Sequence, residues 1–338
     1  MGIGRLAALP SSSFAAVMAT GIVSIAASEL GLGRLALALL AVNIVLFVTL
    51  WGLNLARLAR FPAAVSADLR AHRRAPGFLT LVAGTNVLGE QIAVLAGEPR
   101  VAAALWLCAL LLWLGLVYGF FALAATRPEK PALAEGIDGG TLLVTVATQS
   151  AAILGVQLLP AFAAAPPVLF LSLALWLLGG ALYFIFIVLI LYRWLFQPMA
   201  PADLVPNYWI NMGAAAISAL AGARLAPALG AAPMLAALRG YVVAETMLFW
   251  ALASWWIPLL VVVMSWRHLK GGLLLSPPFQ YWAMVFPLGM YAAATFNFLP
   301  LVGAEFLAPL PRCFFWLAFA AWCGTAVASV GQCVRQPR

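Results

Sequence analysis

A few polar side chains stand inside the long apolar stretches of this 338-residue chain: Asn86, Glu90 and Gln91, then Gln149, Asn211 and Asn297. Such groups are costly against lipid, so they face a protein interior or a water-filled path. Amides with one carboxylate suit the holding or passing of a polar solute. They do not suit catalysis. His72 and His268 each lie beside arginine in a polar connection, and Cys108, Cys313, Cys323 and Cys333 form no CxxC pair. No GxxxxGK[ST] or GxGxxG run offers a phosphate cradle. The expectation is a chain that is not an enzyme, with no cofactor and no metal, and with connections too short for the nucleotide site of a pump.

The elements that carry these residues follow from composition. Hydrophobic residues make up 65% and charged residues 8%, against about 25% charged in soluble domains, and mean hydropathy is +1.06. Lipid is then the main solvent, and only helices or a closed barrel satisfy the backbone there. The apolar runs are long and continuous instead of short and alternating, so the fold class is all-α integral membrane protein. Ten runs stand out, at about 11–30, 34–58, 76–97, 100–125, 139–160, 166–195, 207–229, 236–266, 279–299 and 306–333. Most reach the ~20 residues that cross ~30 Å of hydrocarbon. The first run is read as a span and not a removed signal, since no A-x-A-like cleavage site follows it convincingly. Residues 1–338 are expected to form one transmembrane channel or transporter domain.

The net charge of +8 is not a nucleic-acid signal, because the basic residues sit at span ends. Assigning alternate connections to opposite sides places thirteen of the 18 Lys and Arg on the side of the N-terminus. The positive-inside rule then puts both termini in the cytoplasm and favours an even span count.

The spans also alternate in character. In 18-residue cores, Gly, Ala, Ser and Thr fill 44 of 90 positions in the odd spans and 25 of 90 in the even ones, which are rich in Leu, Trp and Phe. Small residues permit close helix packing or leave space beside a helix, and bulky ones suit lipid. This predicts five hairpins with the odd helices forming an inner ring and the even helices an outer one, around a central passage. Most of the intramembrane polar residues fall in the odd spans. In the ninth, Pro287 interrupts the backbone bonding and kinks the helix. Phe286 beside it is either a packing residue or a plug of the kind hydrophobic constrictions make.

Three motifs carry a family resemblance. Phe14–Ile22 (FAAVMATGI), Asn207–Ala216 (NYWINMGAAA) and Trp282–Gly289 (WAMVFPLG) resemble the first, seventh and ninth spans of the tellurite-resistance/dicarboxylate transporter family. That family holds TehA-type bacterial channels, plant slow anion channels, yeast malate permeases and fungal sulfite exporters. The resemblance implies ten helices in five hairpins with the odd ones around a pore. It implies a homotrimer in the bacterial inner membrane, each protomer with its own pore, passing small inorganic or organic anions. It also implies that Phe286 occludes the pore. The motifs of spans one and seven together with the polar residues of the odd spans give pore-lining candidates: Thr20, Gly21, Asn86, Glu90, Gln149, Asn211, Gly213 and Asn297. Glu90 is a departure, since a fixed carboxylate repels anions; it is protonated, paired with a basic residue, or turned away. Arg224 and Arg239 near the far ends of spans seven and eight are either attractors for anions or interfacial side chains.

Two transport readings follow. The first is a passive anion channel or uniporter gated by Phe286. The second is a proton-coupled exporter or importer of dicarboxylate, sulfite or tellurite, with Glu90 as proton carrier. A membrane enzyme or receptor is the third class, disfavoured by the absence of catalytic clusters in the spans. No nucleic-acid partner is expected.

Overall fold

The computed structural model describes residues 3–161, 165–272 and 276–335. Among them there are ten apolar helices: α1 (Ala15–Glu29), α2 (Gly33–Arg60), α3 (Leu79–Gln91), α4 (Pro99–Thr126), α5 (Leu143–Leu158), α6 (Ala165–Phe196), α7 (Ile210–Gly230), α8 (Arg239–Lys270), α9 (Trp282–Val302) and α10 (Pro309–Arg335). Nine of these, with their flanking turns, are long and apolar enough to cross a membrane. The first is shorter, 15 residues against the expected run over 11–30. The serines before it explain the difference, because they bond to other elements instead of continuing the helix. Ser11 donates to the Arg74 carbonyl at 2.7 Å, and Ser13 accepts from Asn54 at 3.0 Å. At its other end Gly31 takes φ +79, and the Leu32 amide bonds back to Ala27 at 2.8 Å, closing a Schellman cap.

The odd helices form a closed ring: α1 packs on α3, α3 on α5, α5 on α7, α7 on α9, and α9 on α1. Each also packs on the even helix that follows it. The division into inner and outer helices read from the small residues therefore holds. Within the apolar windows, 72 to 89% of residues of α3, α5, α7 and α9 with their flanking turns are buried, against 17 to 50% for the even helices. Every residue of α1 from Ala16 to Ala27 is buried. Exposed leucines, valines and phenylalanines cover the even helices and provide the lipid-facing surface. Cys108 and Cys313 lie on that surface as free thiols.

The tryptophans of the even helices depart from the expectation of lipid-facing bulk. Each even helix from α4 onward sends an indole N–H to the next inner helix around the ring. Trp113 donates to Thr148 of α5 at 2.8 Å, Trp176 to the Ser218 carbonyl of α7 at 2.9 Å, Trp250 to Thr295 of α9 at 3.1 Å, and Trp322 to Thr20 of α1 at 2.9 Å. On α2 an amide does the same work, with Asn43 donating to Gln91 of α3 at the end of the ring's second member. A buried indole needs a partner for its N–H, and here the partner ties each hairpin to its neighbour. Trp176, fully buried, should show this most clearly. Replacing it by Phe is expected to cost about 1 kcal/mol for the lost bond, plus a packing penalty. Thermal unfolding of the purified protein measures the loss.

Candidate functional site: the axis of the ring

The inner helices begin alike on the face that carries the N-terminus. Single 3-10 turns, Ala75–Phe78, Gly139–Leu142, Pro206–Trp209 and Pro278–Tyr281, lead into α3, α5, α7 and α9. Proline fits such a first turn because its missing N–H would have no partner there. Asp138 caps the second of these turns, accepting from the Gly140 amide at 2.7 Å. A cavity of about 590 Å³ opens on this face. Its wall takes Met18 from α1, Thr80 from α3, Leu143 from α5, Ile210 from α7 and Phe286 from α9. Every inner helix contributes, so the cavity lies on the axis of the ring.

Phe286 lies about one turn into α9, deeper than the first-turn positions Leu143 and Ile210, and is only 2% exposed. The helix around it is tightly held. A side chain on Gly213 would meet the Pro287 ring at 2.7 Å, and one on Gly289 would meet Ile22 at 3.0 Å. So α9 is clamped between α7 and α1 on either side of the phenylalanine. Pro287 cannot donate to the carbonyl one turn before it.

The cavity mouth is basic. Arg57, Arg73 and Arg74 line it against a single carboxylate, Asp68. Asp68 pairs with Arg57 at 2.6 Å and with Arg74 at 2.8 Å. Arg57 is 3% exposed; it also donates from Nε to the Ala7 carbonyl at 3.1 Å, while its Nη1 makes no hydrogen bond among the described residues. A buried guanidinium N–H without a partner is a ready donor to an anion. Nearby, burial and the cations Arg127 and Lys130 hold the His72 imidazole below its ordinary value.

At the opposite end of the axis the inner helices converge on Arg224 of α7. Its Nη2 lies 2.9 Å from Glu29 of α1 and 3.6 Å from Glu90 of α3, and its Nη1 donates to Gln157 of α5 at 2.9 Å. Asn297 of α9 donates to the same Glu29 oxygen at 2.7 Å. One residue from each inner helix thus joins a single polar ring. It lies eleven residues beyond Phe286 along α9, or about 16 Å at helical rise. Of the three options for Glu90, the 3.6 Å approach of Arg224 supports pairing with a basic residue.

The other sequence candidates are placed by their contacts. Thr20 and Gln149 bond to even helices, to Trp322 of α10 and to the Trp176 carbonyl of α6 at 3.0 Å. Gly21 sits where α1 meets α3, with Val87 2.3 Å from where a side chain would begin. Asn86 donates to Ser150 of α5 at 3.0 Å. All four stand at contacts between helices. Both side-chain polar atoms of Asn211, fully buried in α7, lack a hydrogen bond among the described residues. Arg239, expected at the far mouth, is exposed and lies against Gly230. Sequence reasoning missed Glu29, Gln157 and the vestibule pair of Arg57 with Asp68. Glu29 is the last residue of α1 and Gln157 the last but one of α5, so a polar residue closing a small-residue span is the one sequence signal they carry.

Residues 8–330 match the voltage-dependent anion channel family. An uncharacterized membrane protein of Mycobacterium tuberculosis is 38% identical over 147 residues, covering 41% of this chain and 71% of that protein. Two uncharacterized transporters of Methanocaldococcus jannaschii are 26% and 24% identical over 157 residues, covering 46% of this chain and 44% of each of theirs.

Proposed function

The chain belongs to the voltage-dependent anion channel family, and from that premise we propose that it passes small anions down their gradient through the axis of the ring, with Phe286 as the gate. The observation that carries this reading is the basic cavity ending at a buried phenylalanine. A vestibule lined by three arginines and one aspartate concentrates anions at the pore entrance, and the unpartnered Arg57 Nη1 offers them a first hydrogen bond. Beyond it the phenyl ring closes the path in the manner of a hydrophobic constriction. Glu90, Asn211, Gly213 and Asn297 lie on the inner helices that would bound that path.

The thirteen-to-five distribution of basic residues supports a bacterial inner-membrane protein with the vestibule and both termini in the cytoplasm. We infer a homotrimer with one pore per protomer, in keeping with the family resemblance; the molar mass of the detergent-solubilised protein tests this.

Passive flow is favoured over proton-coupled carriage of dicarboxylate, sulfite or tellurite because Glu90, the candidate proton carrier, has a side chain only 4% exposed and lies 3.6 Å from the Arg224 guanidinium. Flux from proteoliposomes separates the two. Nitrate or chloride should run down its own gradient at a rate set by that gradient. Uphill accumulation of an anion, driven by an imposed pH difference alone, would establish the coupled carrier instead.

A further inference from the structure

The polar ring at the far end of the axis has a charge pattern that simple packing does not require. Two carboxylates, Glu29 and Glu90, share one guanidinium, Arg224. Gln157 and Asn297 supply hydrogen bonds but no charge. With both carboxylates ionised the ring carries one excess negative charge on the path of an anion. Among the described residues Glu29 Oε2 and Glu90 Oε1 make no hydrogen bond, although Glu90 is 3% exposed. Arg224 Nε is likewise without a partner.

We propose that Arg224 is the anion-binding residue of the far mouth, and that a small inorganic anion such as nitrate or chloride reaches it by displacing the Glu29 carboxylate as Glu29 takes up a proton from the far-side solvent. The exchange balances: one anion arrives on the guanidinium, one proton arrives on the carboxylate, and the charge of the ring is unchanged. Released from Arg224, the protonated Glu29 keeps Asn297 as its partner. Access follows from exposure, since the side chains of Arg224 and Glu29 are 21% and 12% exposed while that of Glu90 lies beneath them at 4%. The proton comes from and returns to the same face, so this site regulates entry and is not a coupling site. The assignment deepens the channel reading and rests on it.

The charged groups around the ring are few. Glu29 is acted on by Arg224 and Glu90, and Glu90 by Arg224. The helices α5 and α9 contribute only Gln157 and Asn297. At the same face Arg34 of α2, Glu98 and Arg100 at the start of α4, Arg239 of α8, Glu305 in the connection before α10 and Arg312 of α10 are all exposed.

Nitrate titrations followed by thermal unfolding of the full-length purified protein, at acidic and at alkaline pH, read this site without requiring conduction. If one proton enters with each anion, the apparent nitrate affinity should fall by up to about tenfold for each unit rise in pH. Glu29→Gln should bind nitrate with the same affinity at both pH values. Arg224→Gln should lose the pH-dependent part of the response and keep any contribution from the vestibule. Arg224→Lys retains the charge and should keep a weaker pH-dependent response, which guards against a fold defect in the glutamine variant. An unchanged pH slope in Glu29→Gln, or equal nitrate affinity of the wild type at both pH values, overturns the assignment. Failure of the channel reading would appear differently, as absent anion flux through Phe286→Ala with the nitrate response intact.

Discussion

Phe286→Ala is expected to raise anion conductance by between about tenfold and a hundredfold in planar bilayers. Moving the wild-type ring out of the path means withdrawing a phenyl group that is 2% exposed from its packing. Exposing such a side chain costs about 1.5–3 kcal/mol, and each 1.36 kcal/mol of barrier is roughly a factor of ten in rate. Truncation removes that cost and leaves the vestibule, the clamp of Gly213 on Pro287 and the far ring in place. Phe286→Leu, which keeps an apolar plug of smaller size, should fall between the two. A folded Phe286→Ala protein with wild-type currents would assign the ring to packing alone.

The largest stability effect is expected at Asp68. This carboxylate lies between Arg57 and Arg74, at 2.6 and 2.8 Å, and Arg57 is itself buried. Asp68→Ala strands the Arg57 charge, and breaking a buried pair in this way costs about 3–5 kcal/mol. Replacing both partners, as Arg57→Met with Asp68→Ala, should recover most of that loss because no buried charge remains. The pair also holds the segment before α1, through the bond from Arg57 to the Ala7 carbonyl. The single variant should therefore loosen the vestibule wall as well as lower the melting temperature. Melting curves of the two single variants and the double variant form the cycle that isolates the pair; equal loss in Asp68→Ala and the double variant would show that stranded charge is not the cause.

Much of this architecture was legible in the sequence because it rests on side-chain size and charge placement. Small residues recur in alternate spans, and the structure closes those spans into the inner ring. The polar sites were read less well, for physical reasons. Glu29 and Gln157 sit at span ends, where a polar residue is ordinary, and only the ring geometry shows that they meet Arg224 of α7 from two other helices. Thr20 and Gln149 were polar in inner helices as expected, but their bonds run outward to even helices; periodicity along one helix does not say which side faces the axis when both sides are buried. The tryptophans were misjudged because hydropathy weighs the indole as bulk and ignores its N–H. The three residues Arg57, Asp68 and Arg74 come together only because the connection after α2 folds back over the cavity, which nothing in their spacing announces.

The most direct test of passive anion conduction is the reversal potential of Phe286→Ala currents in a planar bilayer, with unequal chloride on the two sides and the far-side pH varied. The account predicts a reversal at the Nernst potential of chloride at every pH, with the current growing in size as the far side is acidified. A reversal potential that moves with the pH gradient would mean that protons travel with the anion, and would contradict it.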